Sequence, residues 1–61
     1  MIDNEMYLFG EVMTEKGLIM PFKVLAKEHP EFTSEEELKE DVIRTFLSEK
    51  MIVKSISSGR D

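Results

Sequence analysis

No cysteine occurs in this chain of 61 residues, and it has a single histidine, His29. A disulfide staple, a thiolate zinc site and a histidine cluster are therefore excluded as sources of stability. A domain this small buries only about 60% of the surface its unfolded chain exposes. What remains is a compact apolar core, association with another chain, or both. Hydrophobic residues make up 41% of the chain and charged residues 34%. That balance suits a folded domain rather than a disordered segment.

The hydrophobic pattern predicts the order β-β-α-β. Residues 6–14 alternate as a strand, with Tyr7, Phe9, Glu11 and Met13 on one side and Met6, Leu8, Gly10 and Val12 on the other. Glu15-Lys16-Gly17 reads as a hairpin turn, Gly17 supplying the positive φ that short loops need. Residues 18–26 form a second strand, which Pro21 confines to an edge, a bulge or a bend.

After a connection containing Pro30, Thr33 as N-cap with Glu36 predicts a capping box, and Ser34 with Glu37 repeats the pattern one residue later. A helix over about 34–49 follows, its apolar stripe formed by Leu38, Val42, Ile43, Phe46 and Leu47. Glu35 with Lys39 and Glu40 with Arg44 are spaced as favourable i,i+4 pairs. Residues 51–57 read as a third strand, with Ile52, Lys54 and Ile56 alternating against Met51, Val53 and Ser55.

The expected fold is a single α+β domain over residues 1–61, a three-stranded sheet with one helix on one face. Residues 1–5 and 58–61 are expected to be flexible. Its second sheet face is left with Tyr7, Phe9, Met13, Ile19 and Leu25, a surplus that suggests a contact surface. The competing explanation is that strand twist, with Met1 and Ile2, covers it.

Charge is unevenly placed. Residues 28–41 hold seven of the thirteen acidic residues against one base, Lys39, for a formal −6 in a chain of net −5. Acids in a first helical turn are favoured by the macrodipole and the cap, which accounts for the placing of Glu35, Glu36 and Glu37. Glu28, Glu31, Glu37, Glu40 and Asp41 remain as a candidate acidic patch for a partner with a basic surface. Glu37 and Asp41 repel each other at i,i+4, so stability alone does not explain them. The balance opposes direct nucleic-acid binding, which needs clustered Lys and Arg.

No apolar run reaches the roughly 20 residues that span a bilayer, and the acidic N-terminal stretch lacks the basic start of a secretory signal. A cytoplasmic protein of bacterial or viral origin is expected. The sequence carries no phosphate loop, no nucleophile–base pair and no metal-ligand spacing. His29 beside Glu28 and Glu31 reads as solvated surface. The expectation is a non-enzymatic protein with no catalytic residues, metal or cofactor.

The hairpin whose second strand ends Pro21-Phe22-Lys23-Val24-Leu25-Ala26, the acid-capped helix and the final β-branched strand together resemble the small podophage inhibitors of bacterial RNA polymerase. The epsilon subunit of firmicute RNA polymerase has a similar layout. The resemblance covers residues 6–57 as an order of elements, and no functional residue carries over with it. It implies a small phage-encoded protein that docks on a host enzyme and inhibits or tunes it. The alternative is a self-assembling module, a homodimer through the sheet, in which the acids only solubilise.

Overall fold

The computed structural model describes residues 4–61. Residues 1–3, which include the two proposed as a cover for the second sheet face, lie outside the described residues. Strand β1 (Met6–Met13) and strand β2 (Ile19–Leu25) form a hairpin; a 3-10 turn (Ala26–Glu28) leads to helix α1 (Glu35–Ser48), and strand β3 (Ile52–Arg60) closes the chain. The sheet is antiparallel, in the order β2-β1-β3, so β1 is central and both partners are edges.

The hairpin turn follows from its sequence. Thr14 N–H donates to the Leu18 carbonyl at 2.9 Å, and Gly17 N–H donates back to the Thr14 carbonyl at 2.9 Å. Gly17 has φ 83°, a conformation costly for other residues. Leu18 N–H turns to the Thr14 hydroxyl at 3.1 Å. Counting along the ladder from this closing pair, Glu11 and Pro21 face each other at a position without hydrogen bonds. The Pro21 nitrogen therefore faces the free edge of the sheet, where a missing N–H costs nothing.

The helix starts one residue later than the first capping pattern predicts. Ser34, not Thr33, is the N-cap, with extended backbone and a side chain that accepts from Glu37 N–H at 3.2 Å. Thr33 donates its hydroxyl to the Glu37 carboxylate at 3.3 Å. The helix ends in a Schellman arrangement: Lys50 N–H reaches the Leu47 carbonyl and Met51 N–H the Phe46 carbonyl, each at 2.9 Å. Lys50 sits in the left-handed region at φ 64°, where glycine is usual.

The core is small. Met6, Leu8, Ala26, Leu38 and Val42 form one buried cluster, with Phe22, Val24, Phe32, Phe46 and Ile56 packed against it. Phe22 and Phe46 meet with ring centroids 5.2 Å apart and a 58° tilt. The predicted helical stripe is narrower than expected. Leu38 and Val42 are buried and Ile43 is half-buried, while Leu47 projects into solvent.

Strand β3 departs furthest from expectation. Glu11 pairs with Ser55 but Val12 pairs with Val53, so Lys54 is an extra, bulged residue. The bulge breaks the predicted alternation. Val53 and Ile56 join the helix side, and Ile52, opposite Met13, goes to the other face. The strand also continues past residue 57. Ser58, Gly59 and Arg60 pair with Leu8, Tyr7 and Met6, and Asp61 N–H donates to the Glu5 carbonyl at 3.1 Å.

Candidate functional site

Two surfaces follow from this fold, and they lie on opposite layers. The first is the sheet face turned away from α1. Since Leu8 is buried in one cluster with Leu38 and Val42 of the helix, the alternate residues Tyr7, Phe9, Glu11 and Met13 project from the other side of β1. Their neighbours on β2 are Leu25, Lys23, Pro21 and Ile19. On β3 they are Gly59, Ser57, Ser55 and Ile52. All five residues expected there, Tyr7, Phe9, Met13, Ile19 and Leu25, share this face. Phe9 is 41% exposed, Ile19 51% and Ile52 52%.

The centre of the face is ordered by three contacts. Tyr7 and Phe9 rings lie 5.7 Å apart at 48°. Lys23 Nζ stands 4.3 Å above the Tyr7 ring, a cation–π contact. Gly59 leaves the space that Tyr7 fills, for a Cβ there would come within 2.8 Å of the phenol. The strand period places Glu11 with Tyr7, Phe9 and Met13, and Lys23 with Ile19 and Leu25, as the register shows. Sequence reasoning missed Ile52, which was hidden by the bulge that no residue type announces.

The second surface is the acidic one. Glu28 ends the 3-10 turn, Glu31 lies in the link to the helix, and Glu37, Glu40 and Asp41 are on α1. Asp41 is half-buried and the other four are exposed. Arg60 pairs with Glu5 at 3.9 Å, and His29 Nδ1 lies 3.8 Å from the Glu31 carboxylate. The expected pairs Glu35–Lys39 and Glu40–Arg44 do not close. Glu37 has a structural role besides its charge, since both its amide and its carboxylate belong to the helix cap.

Between the layers, an apolar groove of about 130 Å³ opens between β2 and the second half of α1, lined by Val24, His29, Val42, Thr45 and Phe46. The His29 ring also lies 6.2 Å from Phe32. Among the described residues no three His, Asp or Glu side chains converge as metal ligands would. No helix among them is long and apolar enough to cross a membrane. Comparison with protein-family models, with curated proteins and with solved structures finds no match to this chain.

Proposed function

We propose that this chain is a non-enzymatic protein-binding module whose contact surface is the open face of its sheet. One observation carries the reading. Apolar side chains from all three strands stand on a face that no described element covers. Contiguous apolar surface on so small a domain marks an interaction site.

The acidic layer faces the opposite way. It is a separate surface, suited by its charge to a partner with a basic surface. A phage-encoded inhibitor or modulator of a host enzyme, acting in the bacterial cytoplasm, is one use of such a module. That part rests on the order of elements alone, and fold does not fix function.

The test is capture from bacterial lysate by four proteins: wild type, Phe9→Asp, Ile52→Asp, and the charge reversal Glu28→Lys/Glu40→Lys. The reversal avoids Glu37, whose loss would disturb the cap. Both apolar substitutions are at exposed sites, and circular dichroism checks that the fold persists. The expected result is loss of the captured protein with Phe9→Asp and Ile52→Asp, and capture with the reversal that is weaker and no longer falls with added salt. Capture that survives both face substitutions but vanishes with the reversal would move the contact to the helix and sink this reading.

A further inference from the structure

Resting on the reading of the open sheet face as a contact surface, we infer that its occupant is a second copy of this chain, packed face to face about a two-fold axis that passes between Glu11 and Lys23. The first argument is charge. Among the paired residues of the face, the charged ones are the acid Glu11 and the base Lys23. Glu11 pairs with Pro21 and Phe9 with Lys23, so the two charges are diagonal neighbours on adjacent strands, roughly 7–8 Å apart. Among the described residues they form no ion pair with each other, and Lys23 is turned onto Tyr7. A neutral face with its acid and base held apart is complementary to itself. The two-fold sets each Glu11 carboxylate opposite the other copy's Lys23 ammonium, twice over.

The second argument is where the remaining charge goes. The segment with formal charge −6 belongs to the helix layer and its approach. Any association through that layer would bring like charges together. Face-to-face packing interposes two sheets, about 10 Å apart, so the acidic layers lie farther apart than the ~8 Å Debye length at physiological salt.

The third argument is that the sheet edges are poor alternatives. Pro21 removes a donor from the free edge of β2, and the bulge at Lys54 distorts the free edge of β3. Both devices discourage strand addition. The open face has no comparable protection beyond its two charges. Three strands about 4.8 Å apart and eight residues long make a footprint of about 14 by 26 Å. Two such faces amount to about 730 Å² in total, below the ~1,200 Å² of standard specific interfaces, which suits a weak, transient association.

Sedimentation velocity of the chain over a range from low to high micromolar concentration tests this. The expected result is a shift from a 7.1 kDa species to one of twice that mass. Glu11→Lys alone and Lys23→Glu alone each weaken the dimer at least tenfold, since each sets like charges opposite each other. An equimolar mixture of the two restores it, because the charge-reversed faces complement one another. Circular dichroism confirms that each variant is folded. A wild type that stays monomeric throughout, single variants that dimerise as wild type does, or a mixture that remains monomeric would each overturn the inference. A monomeric wild type that still captures a lysate protein through Phe9 and Ile52 overturns the second copy alone, and leaves the protein-binding reading standing. If that capture also fails to depend on the face, both readings fall.

Discussion

Gly10 lies where the backbones of β1 and β3 crowd each other. A Cβ at this position would run into the Ser55 carbonyl oxygen, with the carbonyl carbon at 2.7 Å and Ile56 Cα at 3.0 Å. These are backbone atoms next to the Lys54 bulge, so they cannot swing aside as a side-chain tip would. Gly10→Ala should therefore destabilise the fold by about 1–3 kcal/mol, the usual cost of overpacking, seen as a lower urea midpoint with an unchanged slope. This requirement for glycine was not legible in the sequence. Gly10 reads there as a weak point in a good strand, and only the β3 register shows what approaches it. Lys50 poses the reverse case, a lysine in a left-handed position that the sequence pattern of helix followed at once by strand does not reveal.

At the scale of the element, the start of α1 separates two candidates that look alike in sequence. Thr33-Ser34-Glu35-Glu36-Glu37 contains two overlapping capping patterns, and local chemistry ranks them equally. The backbone decides: Ser34 is extended, at φ −141° and ψ 156°, and its side chain holds the Glu37 amide. Ser34→Ala is expected to cost about 1 kcal/mol. Thr33→Ala loses only an exposed hydroxyl–carboxylate contact and should cost about 0.5 kcal/mol. Thermal unfolding of the two variants checks the order, and equal losses would contradict the assignment.

The hairpin, helix and third strand were legible because each rests on local periodicity and turn chemistry. The end of β3 was not. Ser58-Gly59-Arg60 has the composition of a tail, and it becomes strand because β1 offers partners as far as Met6. Likewise, four of the five residues in the acidic patch are exposed as charge alone would predict. The capping role of Glu37 needed the helix start to be known.

At the scale of the molecule, the protein is a thin slab of 36 × 21 × 15 Å, two layers with a core under one of them. A domain of this length has a total stability of roughly 3–9 kcal/mol at the usual value per residue. Leu38 is fully buried at the centre of the helix contact. Leu38→Ala costs about 2–5 kcal/mol, comparable with the whole. The expected outcome is a chain largely unfolded at 37 °C by circular dichroism, whereas Leu47→Ala, at an exposed site on the same helix, leaves the fold intact. A folded Leu38→Ala protein would mean that stability comes from outside the described core.

The central place of β1 bears on how the chain is made. Its partners are Ile19–Leu25 on one side and Ile52–Arg60 on the other. During synthesis the hairpin can close as soon as β2 has emerged. The other edge of β1 then stays open while the helix is translated, with Leu8 and Val12 uncovered. The sheet is completed only when β3 leaves the ribosome. Ribosome-bound chains stalled before Ile52 would thus hold a two-stranded hairpin with bare apolar surface, the state in which this protein most needs a chaperone.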